Sequence, residues 1–334
     1  MSSCTVGGGI IGCTTAYFLT RHPKFNPEFH RITLLEANVI ASGASGKAGG
    51  LLGLWAYPEC LVPLSYRLHR ELAEEHDGAK LWGYRRVGCG SIRAVVKDAG
   101  IKPAVSTNST PPLISDQNGG ASPVPIRKTT SDDDKKESKD WEKLPKQDTD
   151  ASELLKASPL PKDLDWLDDS LIDSYDEMGS EGRSETAQVH PFLFTTTIAK
   201  LAEAGGASIL EKAKVTKINY SKAGVRNVEY QKRQSPDGDR ISIDDVTDTI
   251  ITAGPWTGKL LPTTRIQGIR AHSVVFNADV SPYAIFTEIK LPIDYIPEHR
   301  IRKGQKKKHR GRVDPEVYAR PNGEVYACGK DFEP

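Results

Sequence analysis

Six residues near the start of the chain, Gly7-Gly8-Gly9-Ile10-Ile11-Gly12, have the types and spacing that bring a main chain against a diphosphate. Gly7 permits a tight turn, Gly9 lets the backbone approach a pyrophosphate, and Gly12 lets a helix pack closely on a strand. The positive end of the helix dipole and its unpaired N–H groups would then face the phosphates. Glu36 follows Gly12 by 24 residues, where a carboxylate can accept hydrogen bonds from ribose hydroxyls. That contact argues against a 2′-phosphate, and so against NADP, but leaves NAD and FAD both open.

A second stretch follows almost at once: Ala41-Ser42-Gly43-Ala44-Ser45-Gly46-Lys47-Ala48-Gly49-Gly50. An NAD site has no need of a further small-residue loop here. FAD is longer, and its flavin half must run past this point. Small residues and hydroxyls let the backbone approach the pyrophosphate and ribityl chain. A flexible linker is the other reading, and it is disfavoured because Leu51-Leu52 follows with no polar spacer. A third stretch, Thr249-Ile250-Ile251-Thr252-Ala253-Gly254-Pro255-Trp256, is an apolar strand whose end is bare backbone. Ligands bind at the carboxyl ends of strands in open α/β sheets, although a strand ending in Gly-Pro is also ordinary turn chemistry.

These motifs need elements to hold them. The pattern predicts a short strand at 3–6, a helix over 10–21 and a buried-type strand at 31–36, hence one βαβ unit and an α/β fold. A helix is expected over 63–76 and one or two strands within 84–96, with order resuming at 163–175. His190 and Pro191 open a helix that Gly205 and Gly206 end near Ala204. His190 is accordingly read as a helix-start residue rather than a base. Strands are predicted at 208–218, 225–231 and 247–253, strand and loop at 270–277, and strands at 316–319 and 324–328 around Pro321-Asn322-Gly323.

Composition sets the limits. The 334 residues suffice for one large domain or two ordinary ones. A hydrophobic fraction of 37% and a mean hydropathy of −0.46 are low for a chain packed throughout. The deficit falls on 98–161, where Ser, Thr, Pro, Asp and Lys dominate in runs such as SDDDKKESKD. We expect a disordered insertion there, a tolerated surface loop rather than a docking tail. Lys+Arg 45 against Asp+Glu 44 gives no overall attraction to nucleic acid or anionic membrane. The basic run KGQKKKHRGR, residues 303–312, fits an anion site or nuclear signal, but a solvated loop is the preferred reading. Cys4, Cys13, Cys60, Cys89 and Cys328 are odd in number, scattered and without a Cys-x-x-Cys pair. Neither zinc, nor another metal, nor a disulfide framework is expected, and a reducing, cytoplasmic compartment fits. With no basic n-region and no apolar h-region before the glycines, no secretory signal peptide is expected. Its longest apolar stretch, 51–64, is broken by Pro58, Glu59 and Pro63 and is too short to span a bilayer.

The three motifs, in this order, resemble the FAD-dependent oxidoreductases of the D-amino-acid oxidase superfamily, which includes glycine oxidase and sarcosine oxidase. Within it they look most like a fungal branch of the yeast topoisomerase I damage affected type. The likeness is carried by VGGGIIGCTTAYFL, LLEA, ASGASGKAGGLLG, ETAQVHPFLFTTTIAKLAEAGGA, TAGPWTGKLLP and GIRAHSVVF. It implies a Rossmann-like FAD-binding domain, discontinuous over 1–83 and 186–262. An interleaved mixed-sheet α+β substrate domain would then occupy 84–97, 162–185 and 263–334. It further implies that the backbone of Ile10 and Ile11 meets the pyrophosphate, and that Glu36 with Ala37 lies at the adenosine ribose. Ser45, Lys47, Ala48, Gly49, Gly50 and Leu51 would line the flavin side. The main chain of Val215 would meet adenine, and Ala253 and Gly254 would end the last FAD-binding strand.

The reaction implied by this likeness is hydride transfer from the Cα–H of an amine or amino acid to flavin, with O2 as acceptor. Arg320, beside Tyr318 and three residues before Gly323, has the spacing of the substrate-carboxylate arginine of glycine oxidase; a surface arginine beside a hairpin is the alternative. Lys47 would bring positive charge near the flavin or, as we favour, be a solvated loop lysine. The sequence departs from the pattern twice. Only residues 3–6 precede the glycines, so the first strand is expected to be poorly anchored. The Gly-rich motif that covers the flavin ring in this superfamily is also lacking before Pro334, so the substrate domain is expected to be incomplete at its C-terminus. The leading expectation is therefore an FAD-dependent oxidoreductase acting on a small amine or amino acid. A degenerate flavoprotein acting through partners and an NAD-linked dehydrogenase stand as alternatives.

Overall fold

The computed structural model describes residues 1–96, 159–221, 224–233, 240–309 and 311–329, all within one unit made of 1–96 and 159–334. The expected insertion, 98–161, lies outside the described residues except for its last three. There the expectation is corrected: Leu160 is buried with Leu164, Ile92 and Ile285 in a core cluster.

In chain order the first elements are β1 (Ser2–Val6), α1 (Ile10–Thr20), β2 (Arg31–Leu35), β3 (Leu51–Gly53), α2 (Val62–Glu75), α3 (Gly78–Leu81), β4 (Arg85–Arg86) and β5 (Gly88–Val95). Then come β6 (Ser174–Glu177), β7 (Thr186–Gln188), α4 (Pro191–Ala204), β8 (Ala207–Leu210), β9 (Ala213–Ser221) and β10 (Gly224–Lys232). The remainder is β11 (Arg240–Asp244), β12 (Asp248–Ile251), α5 (Thr257–Leu260), β13 (Ser273–Asn277), β14 (Tyr283–Lys290), α6 (Glu298–Arg302), β15 (Arg312–Val313), β16 (Glu316–Arg320) and β17 (Glu324–Cys328).

A parallel sheet in the order β12-β1-β2-β8 carries the glycine turn. Its strands are apolar on both faces because both are covered. Ile32 and Leu34 point into one cluster, with Ala16 and Tyr17 of α1 and Phe194 and Ile198 of α4. Leu35 points the other way, with Cys4 and Val6, into a cluster built with Val215, Val228 and Tyr230 of an antiparallel β11-β10-β9 sheet. Alternation along β2 thus divides one sequence run between two cores.

The helix α1 buries Gly12, Cys13, Ala16, Tyr17 and Thr20, a stripe at helical spacing. Pro191 sits at the start of α4, and the His190 ring nitrogen Nδ1 accepts the Leu193 N–H at 3.4 Å. A small β3-β7-β4 sheet leads from the parallel sheet to a mixed one in the order β13-β17-β16-β14-β5-β6, with β15 beside β14. The class is α/β, as expected. No helix among the described residues is long and apolar enough to cross a membrane.

Three sequence expectations are corrected. The first strand is not poorly anchored: β1 is central, paired to β2 and β12, and Cys4, Thr5 and Val6 are buried. The single strand expected at 208–218 is two strands, β8 and β9, in different sheets. Lys212, with a left-handed φ of +56°, turns the chain between them. The strands β11 and β14 were not anticipated, the former because its alternation is short and polar. Leu34, fully buried between α1 and the parallel sheet, is the natural probe of this core. Leu34→Ala should lower unfolding stability by about 2–5 kcal/mol, measured by urea denaturation at unchanged slope.

Candidate functional site

The turn between β1 and α1 is built without side chains. Gly7 has φ +116°, a conformation that favours glycine, and a β-carbon there would overlap the Thr252 carbonyl oxygen at the end of β12. A β-carbon on Gly12 would overlap the carbonyl oxygen of Gly7 itself. The first turn of the helix is therefore pressed onto the strand end. Thr252 locks the approach from the far side: its hydroxyl donates to the carbonyls of Val6 and Gly7 at 3.0 and 2.9 Å. Gly9 is the N-cap of α1 and offers no side-chain acceptor, and the first turn contains no acidic residue. The N–H groups of Ile11 and Gly12 have no intrahelical partner at that position. The end of α1 is therefore positive and open to an anion.

Two groups reach this turn from outside. Glu36 Oε2 accepts the Gly8 N–H at 2.7 Å, and Oε1 accepts the Asn38 N–H at 2.8 Å. The carboxylate is thereby fixed at the carboxyl end of β2. With about four acceptor positions on a carboxylate, roughly two remain for hydroxyl donors. Ser45 Oγ accepts the Ile10 N–H at 2.9 Å, which draws the 41–50 loop over the start of the helix. The Ala41 N–H donates to Gly8 O at 2.9 Å, closing the loop on the turn from its other end.

The same loop then runs to the mixed sheet. Gly49 lies flat against the Tyr318 ring, where a β-carbon would overlap ring carbons. Tyr318 stacks on Tyr326 at 6.0 Å between centroids and 18° between planes, and meets Phe286 edge-on at 5.9 Å. The Tyr318 hydroxyl donates to Glu316 Oε2. Burial, then that carboxylate, pushes the phenol pKa up, so the hydroxyl keeps its proton. The Gly50 carbonyl accepts the Val189 N–H at 2.9 Å, and Leu51 pairs with Gln188 in β3 and β7.

Arg320 is buried, 6% exposed, so the surface-arginine alternative is excluded. Its Nη2 donates to the Ala48 carbonyl and its Nη1 to Glu324 Oε2 at 3.1 Å, while its guanidinium lies 4.5 Å over the Tyr326 ring. Only Nε lacks a partner. His190 Nε2 stands 3.5 Å from the same Glu324 oxygen. Burial lowers the His190 pKa, against the opposing pull of Glu324 and with help from Arg320, so the ring is neutral at pH 7.

The structure thus gathers Gly7, Gly9, Ile10, Ile11, Gly12, Glu36, Ser45, Ala253 and Gly254 around the carboxyl ends of β1, β2 and β12. It brings Ala48 and Gly49 against Arg320 and Tyr318. Lys47 is exposed at the close of the Ala44–Gly46 turn and makes no ion pair among the described residues. Ala37 is exposed just beyond β2, and the Val215 side chain is buried in β9, leaving only its main chain to a ligand. Sequence reasoning passed over Thr252, Gln188, Tyr326 and Glu324. Glu324 carried a signal: it lies four residues beyond Arg320 across a turn, where strand pairing sets the two opposite each other.

The contact between Gly49 and Tyr318 is testable. Gly49→Ala should destabilise the protein by about 1–3 kcal/mol through overpacking. Gly49→Ala combined with Tyr318→Ala should cost clearly less than the sum of the two single changes. Thermal melts of the four proteins decide it, and strict additivity would refute the contact.

Three comparisons bear on identity. The model of the family described as DAO, FAD dependent oxidoreductase, matches residues 4–328. Among curated proteins, the Saccharomyces cerevisiae protein named "Putative oxidoreductase TDA3" is 34% identical over 397 aligned residues, covering 97% of this chain and 72% of that one. The Schizosaccharomyces pombe protein named "Putative oxidoreductase C1F5.03c" is 30% identical, covering 98% and 70%. Among solved structures, glycine oxidase from Bacillus cereus shares the fold, with a TM-score of 0.57 at 17% identity over 99% of this chain and 72% of that one. The chain belongs to the FAD-dependent oxidoreductases of the DAO family, and FAD is its cofactor.

Proposed function

We propose that this chain oxidises a small amine or amino acid by hydride transfer to FAD, with O2 as the acceptor. The observation that carries the reading is the glycine turn with Glu36 fixed beside it: a backbone cradle in which β-carbons on Gly7 and Gly12 would not fit. FAD suits these residues. The pyrophosphate would lie at the main chain of Ile10 and Ile11, in the field of α1. The ribose would lie at the spare acceptor positions of Glu36, beside Ala37, and adenine at the main chain of Val215. The flavin half would follow Ser45, Lys47, Ala48, Gly49, Gly50 and Leu51, with Ala253 and Gly254 beneath it. We assign 1–83 and 186–262 to cofactor binding and 84–97, 162–185 and 263–334 to the substrate, with Leu160, packed on Leu164 and Ile285, joining the latter.

When bound, FAD supplies the hydride acceptor. With FAD bound, loss of a hydride from the substrate C–H and a proton from its nitrogen would leave an imine, and those two electrons and two protons would reduce O2 to hydrogen peroxide. The protein orients these groups. Tyr318, its hydroxyl engaged with Glu316, forms a neutral aromatic wall with Tyr326. The fold shared with a glycine oxidase supports a small nitrogen-bearing substrate. All five cysteines are free of disulfides, three of them buried, which suits a reducing compartment such as the cytoplasm.

Purified protein should be yellow, and anaerobic addition of a small amine or amino acid should bleach it. Glu36→Ala should weaken FAD binding about tenfold or more, for the loss of charge-assisted bonds worth about 1.5–3 kcal/mol, measured by flavin fluorescence on dilution. A colourless protein that takes up no added FAD would overturn the assignment.

A further inference from the structure

We propose that Glu324 is a built-in occupant of Arg320, and that the substrate of this site is an amine without an α-carboxylate. The inference rests on the reading above, in which β16 and β17 face the flavin-side loop.

An arginine that anchors a substrate carboxylate presents free, paired donors and an unmatched positive charge. Arg320 presents no such matched pair: both Nη atoms are engaged, and Nε, though without a partner, is buried. Nη1 is committed to Glu324 Oε2 at 3.1 Å and Nη2 to the Ala48 carbonyl. One face of the guanidinium is covered by Tyr326 at 4.5 Å. The Arg320 side chain is 5% exposed and that of Glu324 31%, so water screens the pair only from the Glu324 side. The charged groups around it leave no unmatched cation, and Asp279 also acts on Arg85. Arg85, which donates to the Ala319 carbonyl at 2.8 Å, and Arg320 stand against Glu316, bonded to Tyr318, and Glu324. His190, 3.5 Å from Glu324, adds no charge in its neutral form.

A substrate carboxylate would therefore have to compete with Glu324 for one buried cation, either displacing it or leaving two anions facing one arginine, which is unfavourable. An amine lacking the carboxylate makes no such demand. The backbone holds the pair in place: Arg320 and Glu324 face each other across the β16–β17 ladder. The occupant is thus part of the fold, and the carboxylate that a family member could take from its substrate is supplied here by the chain. Glu324 becomes a specificity-determining residue.

The test uses the flavin-loaded protein and two small probes that differ only by the α-carboxylate, ethylamine and alanine, together with propionate. In the unmodified protein, ethylamine should half-reduce the flavin anaerobically at a concentration at least tenfold below that of alanine, and propionate should give no calorimetric binding signal. Glu324→Gln removes the anion, and both alanine and propionate should then bind at least tenfold tighter. Glu324→Asp keeps the anion and should keep the original ratio; circular dichroism checks that each variant folds. Alanine binding as tightly as ethylamine in the unmodified protein overturns the proposal. So does a Glu324→Gln ratio that stays where it was, or one that moves equally in Glu324→Asp. Colour separates the two readings. A protein without flavin refutes the functional assignment, whereas propionate calorimetry reads the occupancy of Arg320 with or without flavin and decides the proposal even if neither amine reduces the protein.

Discussion

Everything at this site depends on one steric fact: the first turn of α1 rests on the end of β1 with no room for a β-carbon between them. A strand and a helix brought that close put the positive end of the helix beside the strand ends, where a ligand can reach it. The neighbouring strands then serve the approach. Thr252 at the end of β12 ties down the Gly7 carbonyl from one side, and Glu36 at the end of β2 takes the Gly8 N–H from the other. Two strands near in sequence, β1 and β2, and a distant third, β12, converge on one turn.

The parts of this arrangement that follow local rules were legible in the sequence. The glycine spacing, the apolar run at 31–35, and Pro191 after a capping His190 each report a local backbone requirement, and each element appears where it was expected. The splitting of 208–218 was not legible, because both halves are apolar enough for a strand. Only the turn at Lys212, which sends them to different sheets, separates them. The anchoring of β1 was misjudged for a related reason. Five residues look weak alone, but a central strand draws its stability from both neighbours, and neither neighbour is local.

Arg320 shows the same limit in electrostatics. Its spacing from Gly323 suggested an anchor for a substrate carboxylate, but a charge is only as free as its surroundings leave it. Glu324 and the Ala48 carbonyl are brought to it by the hairpin and by a loop 272 residues away. Through that carbonyl, and through Gly49 against Tyr318, the loop that follows the glycine turn is mechanically part of the mixed sheet. A ligand ordered by the loop would stabilise strands it does not touch, since whatever binds the native arrangement raises the cost of opening it.

The place of β1 in its sheet also bears on how the molecule comes into being. Val6 pairs with Ile251, so β1 lacks one neighbour until some 250 further residues have been made. At about 5–20 residues per second, that is a wait of roughly ten to fifty seconds. Through it, β1 can pair with β2 but keeps an open, apolar edge. The order of synthesis and the order of the sheet are opposed here. A strand made earlier is completed by one made much later, and its vulnerability during that interval is a property of the topology rather than of its own five residues.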